Sequence, residues 1–179
     1  MTTLKEKTDK KVMNHYHSRM EDIQLLFGSH HFPKDQATVI KQLLDVGQEL
    51  EADATPEQIE EAISTAACEY GLCFDYVKPD TWTDQTEGYF RYLLSWGGPS
   101  EEFRFYVLPV ADGQQYTPYK IEFWWMDWGE SGRYSLMNHS LSATAEEGNV
   151  TLQQLDEQAL LLSVFNWFQE IGATTIDQR

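Results

Sequence analysis

Two segments near the middle of the chain change character at every residue, and that period of two limits the fold more than any other feature. From Glu102 to Pro109, Phe103, Phe105 and Val107 fall on one side and Arg104, Tyr106 and Leu108 on the other. From Tyr119 to Trp128, Tyr119, Ile121, Phe123 and Trp125 face one way, and Lys120, Glu122, Trp124 and Met126 the other. Successive side chains of a strand point to opposite faces, so both segments read as strands. Tyr89 to Trp96 is apolar and aromatic on both faces and ends at the turn signal Gly97-Gly98-Pro99. Asp112-Gly113 marks a turn between the two alternating segments. Gly129 and Gly132 bracket another turn, and Arg133 to Met137 can form a further strand. Cys73 to Val77 can add an edge strand. Consecutive strands joined by short turns predict an antiparallel meander of three to five strands.

Helical periodicity frames this sheet. Val12, Tyr16, Met20, Ile23 and Phe27 share one face of a helix predicted over Thr8 to Phe27, which Gly28 stops. Ser29 to Pro33 is a connector. A second helix is predicted from Asp35 to Leu50, with Ala37, Ile40, Leu44 and Gly47 on one face and Leu43 beside them. A third opens at Thr55 with Pro56 in its first turn and Gln58 completing a capping box, and ends at Tyr70-Gly71. After a polar connector from Ser142 to Val150, Thr151 and Gln154 form a second capping box. The helix they open runs to about Ile171 and is apolar over most of its circumference, which predicts burial across the sheet. The expected class is therefore α+β: two or three N-terminal helices, the sheet, and one long C-terminal helix. The length of 179 residues suits a single domain over 1–179, with 1–10 expected to be flexible.

Charge is distributed unevenly. Residues 1–41 hold 7 Lys/Arg and 5 Asp/Glu, a balance of +2, whereas residues 42–179 hold 6 and 24, a balance of −18, and the sum is −16. Such a field repels nucleic acid and anionic membranes and attracts basic surfaces, so direct nucleic-acid binding and membrane association are not expected. Hydrophobic residues make up 41% and aromatic residues 13%, enough for a packed core and too many for intrinsic disorder. No apolar run approaches the ~20 residues of a membrane span, and Met1 to Lys11 lacks the apolar stretch of a signal peptide. A cytoplasmic protein is expected.

Residues that could carry chemistry are scattered. His15 and His17 would point in different directions on a helix, His30-His31 sits in a connector, and His139 follows a strand. No metal-binding spacing joins them, and Cys68 and Cys73 form a lone C-x4-C pair that reads as two free, partly buried thiols. Neither a metal nor a cofactor is expected. Ser95 lies outside G-x-S-x-G, and Gly97-Gly98-Pro99-Ser100 is no phosphate loop. The adjacent acids Glu60-Glu61 and Glu101-Glu102 would act as acid and base only if burial separated their pKa values.

Aromatics and acids are the richer signals. Trp96, Phe103, Phe105, Tyr106, Phe123, Trp124, Trp125 and Trp128 lie in or beside the strands. Aromatics on a sheet can stack bases, but stacking platforms sit in positive grooves, and basic partners are few here. A two-sided core or a protein-binding patch fits better. Acids run through the second and third helices as Glu49, Glu51, Asp53, Glu57, Glu60, Glu61 and Glu69, and continue as Asp75, Asp80, Asp84 and Glu87. Carboxylates spread over a helix and loop can imitate phosphate spacing, whereas plain solubility is the simpler reading.

The stretch Leu93-Leu94-Ser95-Trp96-Gly97-Gly98-Pro99-Ser100, then Glu102-Phe103-Arg104-Phe105, then Ile121-Glu122-Phe123-Trp124-Trp125-Met126-Asp127-Trp128, resembles a pattern in small uncharacterised proteins of conjugative plasmids and related mobile elements. The shared features are a strand ending in G-G-P, a second strand, and a third ending in an acidic-Trp pair. The resemblance implies a mobile-element setting, where antirestriction and other anti-defence proteins are common. It supplies no catalytic residues.

The favoured expectation is a non-enzymatic, acidic protein-interaction domain of a mobile element. Its specific form would be inhibition of a host nuclease or DNA-binding defence complex by charge mimicry, through a basic surface of that partner. Glu57, Glu60, Glu61, Asp75, Asp80 and Asp84 would be the phosphate-like contacts, and Trp124 and Trp128 the apolar anchors. The alternative is a small enzyme or ligand-binding domain that uses the aromatic sheet as a pocket, with Arg91, Arg104 and Glu122 as its polar groups. A third reading is an accessory or immunity protein whose charge only keeps it in solution.

Overall fold

The computed structural model describes residues 4–28, 35–110, 115–138 and 151–176. His30-His31, His139, the Asp112-Gly113 turn and the whole of the connectors at 29–33 and 142–150 lie outside them. The elements, in order, are α1 (Leu4–Phe27), α2 (Gln36–Asp45), α3 (Pro56–Glu69), β1 (Cys73–Val77), β2 (Tyr89–Ser95), β3 (Ser100–Pro109), β4 (Tyr116–Asp127), β5 (Glu130–Asn138) and α4 (Leu152–Glu170). The fold is α+β, with one antiparallel sheet ordered β1-β2-β3-β4-β5, a five-stranded meander. No helix among the described residues is long and apolar enough to cross a membrane.

Several element boundaries differ from the sequence reading. β3, β4 and β5 begin two or three residues early, at Ser100, Tyr116 and Glu130, which puts Gly132 inside β5 opposite Trp125 rather than in a turn. Two helix boundaries move for identifiable reasons. α1 begins at Leu4 rather than Thr8, because polar residues without Gly or Pro can extend a helix beyond its apolar stripe. α2 stops at Asp45 rather than Leu50: Gly47, expected on its apolar face, instead takes φ +93° just past the end, the left-handed position that terminates helices. Both capping boxes form. Thr55 accepts from the Gln58 N–H and Thr151 from the Gln154 N–H, while each glutamine side chain accepts from the backbone N–H of its cap.

The chain groups into two compact units, Met1–Tyr16 with Gly71–Arg179, and His17–Tyr70. In the helical unit, Leu25, Leu26, Val39, Leu43, Ala62, Ile63, Ala66 and Ala67 form a core. There the Tyr70 hydroxyl donates to Asp22 at 2.7 Å and accepts from Arg19 at 3.3 Å.

In the sheet unit one face is covered by helices. Phe165 of α4 meets Phe90 and Phe105, and Phe168 stacks on Phe74 at 3.9 Å between ring centroids. Tyr16 of α1 sits against Phe103, Phe123 and Tyr134, and its buried hydroxyl donates to Glu157 at 2.6 Å. Gly132 lets α1 approach β5, because a Cβ there would fall 2.5 Å from Val12 Cγ2. The ion pair Lys11–Glu130 at 2.7 Å and the contact of His15 Nδ1 with the buried Glu101 carboxylate at 2.6 Å complete the docking. α4 buries Leu160, Leu161, Val164, Phe165 and Phe168, but Leu152 and Leu155 are exposed, so it lies on the sheet with one face rather than all round. Cys68 and Cys73 are free, as expected, but exposed rather than partly buried.

Candidate functional site

The opposite face of the sheet carries the alternate residues, and the register sets them side by side. Asp75, Arg91, Arg104 and Glu122 form one row across β1 to β4, and Leu93, Glu102, Trp124 and Arg133 form the next across β2 to β5. A register shift between Tyr106 and Val107 gives β4 an extra residue opposite β3. Tyr119, expected to point with Ile121, therefore packs instead with Val77, Tyr89 and Tyr106. These tyrosines make a small second apolar cluster on a face that is otherwise polar.

Charges on this face are held in fixed geometry. Asp75 accepts from Arg91 Nε at 2.9 Å and Nη2 at 2.7 Å, a bidentate fork. That carboxylate, more than any other neighbour, holds the Arg91 guanidinium above its ordinary pKa. Glu102 is buried and accepts from Arg104 Nε at 2.5 Å. The Arg104 guanidinium also lies 3.9 Å from the centre of the Trp124 ring and 4.7 Å from that of Tyr89. Glu122, also buried, accepts from the Tyr106 hydroxyl at 3.1 Å, Trp124 Nε1 at 2.9 Å and Arg133 Nη1 at 3.3 Å. Burial first, and the Glu122 charge second, push the Tyr106 phenol up in pKa.

A loop over 78–88 forms the wall beside this floor. Gln85 fastens it: its side-chain oxygen accepts from the N–H groups of Thr81 and Trp82, and its amide nitrogen donates to the carbonyls of Lys78 and Glu87. Asp80 and Asp84 take left-handed φ angles of 59° and 63°, which aspartate tolerates better than most residues. Gly88 returns the chain to β2 where a Cβ would fall 2.1 Å from the Tyr76 hydroxyl, so any larger residue there would displace the Tyr76 ring. Glu87 joins wall to floor by accepting from Tyr119 at 2.6 Å and Lys120 at 2.9 Å. The Tyr119 bond first, then that of Lys120, holds the Glu87 carboxyl below its ordinary range, while burial and this same acceptor push Tyr119 up to about 12.

Between floor and wall is a cavity of about 530 Å³. Trp82 and Thr83 to Glu87 line it from the loop; Arg91, Glu102, Arg104, Tyr106, Lys120, Trp124, Met126 and Arg133 line it from the strands, with Trp96 at the end of the sheet. Of the six Lys/Arg after residue 41, four line this one cavity. The lining holds four cations against the three acids Asp84, Glu87 and Glu102, in a chain whose net charge is −16. Arg133, Trp82 and Trp96 are 61%, 51% and 68% exposed, so the rim presents two indoles and a cation.

The residues singled out from sequence separate. Asp84 and Trp124 line the cavity, and Asp75 sits beside it with its charge answered by Arg91. Asp80 is exposed in the loop. Trp128 is 92% exposed in the β4–β5 turn, where its Nε1 lies beside Gly98. The two motifs that carried the resemblance, Gly97-Gly98-Pro99 and Asp127-Trp128, thus meet at one end of the sheet. Glu57, Glu60 and Glu61 are exposed on α3, in the helical unit, with Glu57 held low in pKa by backbone N–H and Thr55 hydrogen bonds at the helix start. Arg91, Arg104 and Glu122, the polar groups of the alternative reading, do come together on one face. Trp82, Gln85, Lys120 and Arg133 were missed. Lys120 was legible from its alternation with Ile121, but the loop residues carry no periodic signal. The chain matches no protein-family model, no curated protein and no solved structure.

Proposed function

We propose that the chain is a ligand-binding domain whose open sheet face takes a small polar molecule with a flat side and an anionic group. One observation carries this reading: most of the cations in the acidic part of the chain gather with Trp82, Trp96 and Trp124 around a single cavity. Its volume lies within the ~300–1,000 Å³ of typical small-molecule sites. Guanidiniums oriented in advance by Asp75 and Glu102 favour binding, because less ordering is left for the ligand to impose. The carboxylates here act as acceptors for fixed partners, which suits recognition more than proton transfer.

The test is a thermal-shift screen of carboxylates, phosphates, sugars and nucleotides against the full chain and Arg133→Gln. A true ligand at ~100 times its Kd adds roughly 2.7 kcal/mol of stability, and Arg133→Gln should lose most of that gain. If no compound shifts the wild type, or every shift persists in the variant, the reading fails.

A second reading, the acidic interaction domain with a basic protein partner, is favoured by the exposure of Glu49, Glu51, Asp53, Glu57, Glu60, Glu61 and Glu69. Reversing Glu57, Glu60 and Glu61 together would abolish salt-sensitive capture of such a partner. Unchanged capture would remove that reading.

A further inference from the structure

We propose that the ligand of this cavity is a nucleoside monophosphate, an inference that rests on the ligand-binding reading above. The cavity is polar in a directional sense. Its floor supplies Arg91, Arg104, Lys120 and Arg133, while its wall supplies the carboxylates of Asp84 and Glu87 and the hydroxyls of Thr83 and Thr86. A simple dianion would satisfy the floor and be repelled by the wall. Each cation already has a carboxylate partner, but a neutral sugar would satisfy the wall and leave unused the guanidinium N–H groups that those carboxylates do not take, those of the 61% exposed Arg133 above all. A phosphate joined to a ribose meets both, because its diol donates to carboxylates while its phosphate accepts from guanidiniums.

The third requirement is a flat apolar face. Arg104 already lies over the Trp124 ring, so stacking falls to the exposed indoles of Trp82 and Trp96 on the rim. Bases stack on such rings with little sequence preference, each worth a substantial part of the affinity. The sequence alone argued against base stacking for want of basic partners, and the fold supplies those partners locally. The overall charge of −16 decides between a polymer and a monomer. A long polyanion would extend past the cations into a repulsive field, whereas one nucleotide stays within them.

Isothermal titration of the full chain with AMP, GMP, CMP and UMP, beside adenosine and ribose 5-phosphate, tests the assignment. At least one monophosphate should bind with a Kd below about 0.1 mM, and both fragments about tenfold or more weaker. Arg133→Gln should lower monophosphate affinity to about that of the nucleoside and leave adenosine unchanged. Trp96→Ala should weaken adenosine and spare ribose 5-phosphate. Both side chains are largely exposed, and the amide of Arg133→Gln keeps a donor for the buried Glu122 carboxylate, so an unchanged melting temperature is expected of each variant and is checked first; Glu57→Lys in the helical unit serves as the control. Monophosphates that bind no tighter than either fragment overturn the nucleotide assignment. If another screened compound then binds in an Arg133-dependent way, the ligand-binding reading stands without it. If nothing binds, both fall.

Discussion

Replacing Glu122 by leucine probes the network under the cavity most sharply. The carboxylate is buried and takes three hydrogen bonds, and the cost of losing it depends on where each donor can turn. The Tyr106 hydroxyl is buried, and an orphaned buried donor costs about 1–3 kcal/mol. The Trp124 indole is half-buried, which places its N–H near the lower end, about 1 kcal/mol. Arg133 is 61% exposed, so its guanidinium turns to water. The roughly 3–5 kcal/mol of a broken buried ion pair therefore does not apply. Relief of carboxylate desolvation offsets part of the loss. The net expectation for Glu122→Leu is about 2–3 kcal/mol of destabilisation, against about 1 kcal/mol for Glu122→Gln, which keeps an acceptor oxygen. All six tryptophans lie in the sheet unit, so urea unfolding followed by indole emission reports on that unit alone. A double-mutant cycle with Trp124→Phe should show a coupling of about 1 kcal/mol. A Glu122→Leu cost below about 0.5 kcal/mol, or no coupling, would refute the claim that this carboxylate organises the face.

Three further outcomes follow from the same geometry. Gly132→Ala should destabilise the sheet unit by about 1–3 kcal/mol through overpacking against Val12, and Val12→Ala in the same chain should recover part of it, read as non-additive urea midpoints. Gln85→Ala removes four side-chain bonds from an exposed loop. It should change stability by less than about 1 kcal/mol, speed hydrogen exchange across 78–88, and weaken ligand binding about tenfold or more. Because Glu87 has a depressed folded-state pKa, its contribution is present above its unfolded pKa near 4.5 and fades as pH falls through the lower folded value. The stability gap between wild type and Glu87→Gln should thus be visible at pH 7, smaller than about 1 kcal/mol because the pair is half-exposed, and should close in acid.

The sheet was legible because alternation is a property of the chain itself. Phe103, Phe105, Phe123 and Trp125 had to share a face, and burial decided which one. The capping boxes at Thr55 and Thr151 were legible for the same reason, each being a contact over three residues. The cavity was only half legible. Arg91, Arg104 and Glu122 could be suspected from their place on strands, but their ion pairs depend on register. Register depends on bulges, such as those at Tyr106/Val107 and Ile121/Glu122, which no local signal announces. The loop wall was not legible at all. Gln85 acts through backbone groups up to seven residues away, and Trp82 is placed by that loop rather than by any period. Net charge misdirected attention in a physical way: a sum of −16 conceals the clustering of the few cations against the aromatics.

Whether a ligand occupies this cavity is read at single-residue resolution from the six indole N–H resonances of the full chain. Assigned by single Trp→Phe variants, they divide into three at the cavity, Trp82, Trp96 and Trp124, and three away from it, Trp125, Trp128 and Trp167. Titration with the best compound from the screen should move the first three in saturating fashion and leave the others in place. Shifts confined to Trp128, or none in any indole, would mean that the cavity takes no ligand.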